Sequence, residues 1–300
     1  MGLVVTGASG ELGRSTIDAL LRIVDARALI LVTRHPDALR HYAALGACVR
    51  HGDFDEPASL GAAFAGASRL LLISTVQVGE ARRRQHEAAI RAAIATPGLE
   101  HIVYTSSAGI HPRNPCFVIP DHIFTERLLA ESGLAFTILR MNSYADILAT
   151  QIAPQAIRTG QWIGGAGDGA VGFVAKRDCA ATAAAVLTGE GHEGAIYEIT
   201  GPELLSHRQA SALAAELAGK PIDYVVPPDA PPAAIGQAED EQAATWIGPF
   251  TLADLSTFDD AVRAGYYAIC THHVEMITGR PAQTLRDLFL AHLDLLRSAA

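Results

Sequence analysis

Lysine is almost missing from this chain. Only Lys176 and Lys220 occur among 300 residues, and arginine carries nearly all the positive charge. Chemistry that needs a lysine before position 176 is therefore excluded. Cysteine is scarce as well. Cys48, Cys116, Cys179 and Cys270 stand far apart, with neither metal-ligand nor redox spacing, and read as reduced thiols of a cytoplasmic protein. No His-Glu-x-x-His frame surrounds the adjacent His272 and His273, so no metal site is expected. There is no basic run, and the net charge of −9 argues against a nucleic-acid partner. No apolar run is long enough to cross a bilayer, so no membrane partner is expected. The chain opens directly on a strand pattern, which leaves no room for a signal peptide. What is present, 49% apolar and 18% charged residues, describes a globular chain able to form one large domain or two smaller ones.

The organising stretch is Leu3-Val4-Val5-Thr6-Gly7-Ala8-Ser9-Gly10-Glu11-Leu12-Gly13. A β-branched run ends in glycines three apart, and a helical pattern (Leu12, Ile17, Leu20, Leu21, Val24) follows at once. Gly7 suits a tight turn, Gly10 lets the backbone approach a diphosphate, and Gly13 lets the helix pack on the strand. The helix N-terminus then offers free N–H groups and a positive dipole end to the anion. The spacing points to a dinucleotide site at the start of the chain.

Strand and helix patterns then alternate. Strands are read at 28–33, 47–51, 69–74, 101–105 and 134–140, with Pro57 opening the third helix and a fourth helix at 80–95 that carries Gln85 and His86. This is a doubly wound parallel α/β sheet of order 3-2-1-4-5, with more strands to come. Ligands of such sheets lie at the carboxyl edge. Arg34 follows the second strand where an NAD site would carry an acid for the ribose 2′-hydroxyl, so NADP(H) is favoured and NAD(H) is the alternative. Asp53 and Phe54 border the adenine, or Asp53 caps the next helix. Residues 161–174 read as two short strands about a glycine-rich turn. Lys176-Arg177-Asp178 opens an alanine-rich helix, with Asp178 placed for its dipole. A seventh strand spans 195–200, and from Gly201 onward the pattern is helical except at 223–226. The stretch 227–232 reads as a proline-rich loop.

Short-chain dehydrogenases place Tyr-x-x-x-Lys after the fifth strand, where the lysine lowers the tyrosine pKa. No such pair can exist here. The helix reads Pro120-Asp121-His122-Ile123-Phe124-Thr125-Glu126, with His122 and Glu126 on one face. His122 is either a proton donor or an ordinary helix-surface histidine.

The motifs T-G-A-S-G-E-L-G at 6–13, T-R-H-P at 33–36, H-G-D-F at 51–54, L-L-L-I-S at 70–74, H-I-V-Y-T-S at 101–106, D-H-I-F-T-E at 121–126, G-A-G-D-G at 165–169 and G-H-E-G-A-I-Y-E-I-T-G at 191–201 carry a family resemblance. The chain resembles the NmrA-like atypical short-chain dehydrogenases/reductases. Within them it is most similar to bacterial type-2 NAD(P)H:quinone oxidoreductases and triphenylmethane reductases. The resemblance implies a Rossmann domain at 1–155, its sheet completed by 176–200. It implies a smaller, largely helical substrate domain at 201–300, with 156–175 contributing to the cleft. Thr6, Gly7, Ser9, Gly10, Glu11, Leu12, Gly13, Arg34, Asp53, Phe54, Ser74, Thr75, Gln77, Thr105 and Ser106 are the cofactor-binding candidates. Tyr104, His122 and Tyr144 are the catalytic candidates.

The chain departs from the pattern in three places. Ala38 stands where the family often has a basic residue. Arg140-Met141-Asn142-Ser143-Tyr144 replaces Arg-Asn-Gly-x-Tyr. Residues 233–270 match neither subgroup.

The expected activity is NADPH-dependent hydride transfer to a conjugated acceptor, a quinone or related aromatic compound. Hydride transfer to a quinone yields a phenolate with pKa about 10, which needs no strong acid. The alternative is a non-catalytic NAD(P)-sensing regulator that binds a protein partner. Benzylic-ether reduction is disfavoured, because its catalytic lysine has no counterpart. A cytoplasmic homodimer completes the expectation.

Overall fold

A computed structural model describes residues 2–226 and 252–299. The proline-rich loop read at 227–232 lies outside the described residues, as does 233–251. In chain order the first half runs β1 (Leu3–Val5), α1 (Glu11–Leu20), β2 (Leu29–Thr33), α2 (Arg40–Ala44), β3 (Cys48–His51), α3 (Pro57–Phe64), β4 (Arg69–Leu72), α4 (Glu80–Ile94), β5 (His101–Ser107), α5 (Ile119–Ala130) and β6 (Ala135–Met141). Then come α6 (Ala145–Ile147), α7 (Ala153–Thr159), β7 (Gln161–Ile163), β8 (Ala170–Val171), α8 (Lys176–Thr188), β9 (Ile196–Ile199), β10 (Leu205–Ser206), α9 (His207–Ala218) and β11 (Asp223–Val225). Four helices close the chain: α10 (Leu252–Arg263), α11 (His273–Thr278), α12 (Leu285–Ala291) and α13 (Leu293–Ser298).

Seven strands form one sheet of order β3-β2-β1-β4-β5-β6-β9, every pairing parallel. The central strands β1, β2 and β4 are buried along their whole length, as strands covered by helices on both faces must be. One face packs α1, α8 and Val274 of α11 around Leu3, Val5, Leu31 and Leu71; the other packs α3, α4 and α5 around Val4, Val32, Leu70 and Leu72. The order reverses between β1 and β4, which opens a crevice at the carboxyl edge. Thr6 fixes that point: its hydroxyl donates to the Leu71 carbonyl at 3.0 Å and accepts from Ile73 N–H at 3.1 Å.

A second core lies beyond this edge, built on Trp162, Phe173, Ala210, Tyr267 and Phe289. Its small sheets hold both short strands read at 161–174. The strands at 161–163 and 170–171 do not pair with each other: β7 pairs with β11 in parallel, and β8 pairs with β10 antiparallel. The turn between them wraps around α10, where Gly165 N–H donates to the Asp259 carboxylate at 2.9 Å. Gly169 packs so closely that an added Cβ would lie 2.5 Å from the Val262 carbonyl oxygen. Those two contacts splay the strands toward different partners.

Asp178 also does more than complement a dipole. It is fully buried, 2.7 Å from Arg280 Nη1, and accepts from Gln283 N–H at 2.7 Å, so it pins the segment after α11 to α8.

Candidate active site

The crevice is a cleft of about 490 Å³. Gly7 turns the chain out of β1 with φ +59°, a conformation glycine adopts freely. Gly10 N–H then closes on the Gly7 carbonyl at 2.9 Å, and α1 starts with Gly10 as its N-cap and no side-chain cap. The first N–H groups of α1 are thus left for an external acceptor. An added Cβ at Gly13 would meet the Gly7 carbonyl oxygen at 2.3 Å, so this glycine holds the helix against the turn. At Gly10 a Cβ would meet only that oxygen, at 3.2 Å, leaving open space in front of the helix. Shape, free donors and dipole all fit the diphosphate of a dinucleotide.

The other walls come from the ends of β2, β3 and β4. Ser9 Oγ and Thr33 Oγ1 are 2.8 Å apart and tie the glycine turn to the end of β2. Arg34 follows, exposed, with no hydrogen bond or ion pair among the described residues. Arg14, missed in the sequence reading, donates to the Ser9 and Ala38 carbonyls, both at 2.9 Å. A basic side chain from α1 thus reaches the position where the sequence itself offers only alanine.

Asp53 does not cap α3, whose N-cap is Glu56. Its Oδ1 accepts from Asp55 N–H at 3.0 Å, and it lines the cleft beside Phe54. Leu12, Glu11, Ser74, Thr75 and Gln77 line it as well. Thr105 and Ser106 do not. Thr105 Oγ1 accepts from Ser74 N–H at 2.9 Å, and Ser106 Oγ donates to Glu126 at 2.7 Å, so both lie one layer back.

Of the three catalytic candidates only Tyr144 borders the cleft. Its hydroxyl donates to Met141 Sδ at 3.5 Å, and burial pushes its pKa up. Tyr104 is fully buried, with its hydroxyl 2.7 Å from His122 Nδ1. His122 Nε2 lies 3.4 Å from Arg82 Nη1. A guanidinium can only donate, so Nε2 accepts and Nδ1 carries the proton toward Tyr104. Burial, then the Arg82 charge, drives the His122 pKa well below its ordinary value, and Tyr104 is pushed up by burial. Beside them His86, bonded to Thr125 Oγ1 and Thr75 N–H, is held down to about 3 by burial. Glu126 is clamped by Arg140 at 2.6 Å. The expected one-face pair His122 and Glu126 is real, but it faces inward.

Sequence reasoning missed Arg82, Gln85 and Lys176 as cleft-lining side chains. Arg82 is 4% exposed and donates to the Gln77 carbonyl at 2.5 Å. Among the described residues it forms no ion pair, and burial lowers its pKa. Gln85 donates to Asp55 at 2.8 Å. Lys176 lies 5.5 Å from the centroid of the Tyr144 ring; its rarity was the only signal. His273 Nδ1 faces the backbone of Glu198, and no group of three or more His, Cys, Asp or Glu that could hold a metal occurs among the described residues. No helix among them is long and apolar enough to cross a membrane.

Residues 7–190 match the NAD(P)H-binding family model. Quinone oxidoreductase 2 of Escherichia coli (strain K12) is 37% identical over 223 residues, which cover 74% of this chain and 76% of that protein. NAD(P)H azoreductase of Xenophilus azovorans is 30% identical over 294 residues, 97% of each chain. Among solved structures, the NADPH-dependent quinone oxidoreductase of Escherichia coli complexed with NADPH superposes with a TM-score of 0.84 at 32% identity, covering 96% of this chain and 99% of that one. The Citrobacter sp. triphenylmethane reductase complexed with NADP(H) gives 0.84 at 27% identity, over 97% and 100% of the two chains.

Proposed function

The chain belongs to the NAD(P)H-binding family, as an NmrA-like atypical short-chain dehydrogenase/reductase, and from that premise we propose that it reduces quinones or related conjugated aromatic acceptors with NADPH. It is an NAD(P)H-dependent oxidoreductase. Bound in the cleft, the reduced nicotinamide supplies the hydride. The N–H groups of Glu11, Leu12 and Gly13 hold the diphosphate, and Arg34 takes the 2′-phosphate with Arg14 adding positive charge behind it. Phe54 and Asp53 border the adenine. The Tyr144 ring forms a wall on which a flat ring packs. Thr105 and Ser106 act through Ser74 and Glu126 and do not touch the cofactor.

A phenolate formed from a quinone has a conjugate acid of pKa about 10, so no strong acid is needed to complete the reaction. Arg82 supplies the cleft with a buried positive charge, without an ion pair among the described residues, that stabilises such an oxyanion. His122, fixed by the Tyr104 hydroxyl, accepts from Arg82, and burial keeps its imidazole neutral; Tyr104 and His122 are positioning residues. We assign the acceptor side of the cleft to 156–175 and the described residues of 201–300, whose Trp162, Ala210, Tyr267 and Phe289 help build the second core. A cytoplasmic location accords with four free thiols.

The observation that carries this reading is the uncapped, glycine-framed start of α1 facing Arg34 across one cleft. The test is NADPH consumption, followed at the nicotinamide absorbance, over a panel of quinones, azo and triphenylmethane dyes and aromatic ketones. Turnover with quinones or dyes is expected. Tight NADPH binding with no turnover on any acceptor would overturn the enzyme reading in favour of a sensor.

A further inference from the structure

One ion pair joins the two sides of the cleft. The Glu11 carboxylate, on the first residue of α1, meets Lys176 Nζ, on the first residue of α8. Both residues line the cleft. The Lys176 side chain is only 17% exposed and lies over the Tyr144 ring, so its charge is held at the cleft wall, out of bulk water.

Its place is unfavourable for its own helix, because an ammonium in a first turn opposes the dipole. Asp178 in that same turn offers no relief, since it is taken by Arg280 and by Gln283 N–H. The Asp146 carboxylate takes the Lys176 backbone N–H at 2.7 Å, and among the described residues the ammonium itself pairs with Glu11. Glu11, in turn, stands beside the uncapped N–H groups of α1, where the diphosphate of a dinucleotide belongs. An entering diphosphate is repelled by Glu11 and attracted by Lys176.

We propose that Glu11 and Lys176 form an ionic latch on the dinucleotide cleft. Lys176 passes from Glu11 to the diphosphate as the cofactor enters, and Glu11 is a built-in competitor that keeps the cofactor exchangeable. Lys176 is thereby a cofactor-positioning residue. This rests on the reading that the cleft takes NADP(H).

Isothermal titration of the full chain tests it with three ligands. NADPH and 2′-phospho-ADP-ribose carry the diphosphate, the second without nicotinamide; 2′-AMP lacks it. Glu11→Gln should tighten the first two by about fivefold and Lys176→Met should weaken them by about tenfold, each leaving 2′-AMP unchanged; the modest size reflects the solvent exposure of Glu11. Both effects should shrink as salt rises from about 0.05 M to about 0.5 M. Lys176→Arg should restore binding. Equal shifts for all three ligands, or no tightening in Glu11→Gln, would overturn the latch. Glu11→Gln alone decides the matter should Lys176→Met fail to fold. Failure of the unmodified chain to bind NADPH would instead overturn the cofactor reading.

Discussion

Two glycines of the first turn should fail in opposite ways when a side chain is added. At Gly13 a Cβ would lie 2.3 Å from the Gly7 carbonyl oxygen and 2.9 Å from Ala8 Cα. Comfortable contact begins near about 3.5 Å, so the overlap is on the order of 1 Å. Both neighbours are backbone, and no rotamer change relieves the clash. Helix α1 must slide off the turn. Overpacking costs about 1–3 kcal/mol, and the rigidity of both partners points to the upper end. At about 2–4 °C per kcal/mol for a chain of this size, Gly13→Ala should melt about 6–12 °C lower.

At Gly10 the backbone angles, φ −73° and ψ 168°, suit any residue, and the only contact is at 3.2 Å. Gly10→Val should lose only the N-cap preference, about 1 kcal/mol. Its branched side chain stands where the diphosphate would meet the free N–H groups. Loss of two charge-assisted hydrogen bonds, each about 1.5–3 kcal/mol, should weaken NADPH by at least about a hundredfold. Thermal melts and NADPH fluorescence titrations on both variants separate the effects. A Gly13→Ala protein that melts with the unmodified one, or a folded Gly10→Val protein of unchanged NADPH affinity, would refute the reasoning.

Arg34→Ala should remove most of a preference for NADPH over NADH, measured as the ratio of dissociation constants; equal constants in the unmodified protein would sink the assignment. With a quinone acceptor, Tyr104→Phe, His122→Ala and Tyr144→Phe should each lower kcat by less than about a hundredfold, the lower end of what general acid catalysis contributes; a loss beyond about a thousandfold with cofactor binding intact would identify an essential acid. Stability should fall on mild acidification. His86, His122 and His207 are held below the ordinary histidine value by burial, His86 to about 3 and His207 to about 4. The unfolded chain therefore binds more protons below about pH 6.5, and each group contributes stability that is full above that pH and declines toward its folded value, by up to about 1.4 kcal/mol per pH unit. Urea midpoints that do not change between pH 7 and pH 5 would contradict this.

The strands and the glycine turn were legible because parallel strands buried on both faces read as apolar runs, as Leu70, Leu71 and Leu72 do, and because turn glycines have one steric purpose each. Arg34 was legible from its distance along the chain. The polar groups brought together from distant segments were not. Nothing in the run Arg82-Arg83-Arg84 says which guanidinium turns inward; that is settled when Asp121 of α5 takes Arg83 at 2.8 Å and Asp55 attracts Arg84. Tyr104 and His122 carried the right chemistry in the right region, yet residue type does not reveal whether a side chain lines a cleft or supports its floor. Lys176 stood out for its rarity, but its nearness to Tyr144 depends on where α8 docks. The stretch 161–174 correctly read as two short strands, while their partners lie far along the chain, in β10 and β11.

The interleaving of β7 with β11 and of β8 with β10 has a consequence for synthesis on the ribosome. Strands β1 to β6 can join their sheet as they emerge, with each newcomer finding an edge already made. Residues 161–163 and 170–171 leave the ribosome before their partners exist, and the partners are separated from them by α8 and β9. Trp162 and Phe173, 1% and 4% exposed in the finished protein, stay uncovered through that interval. A nascent chain whose first 200 residues have left the ribosome thus presents a nearly complete nucleotide fold beside an open aromatic surface, a substrate for chaperones until α9 and β11 arrive.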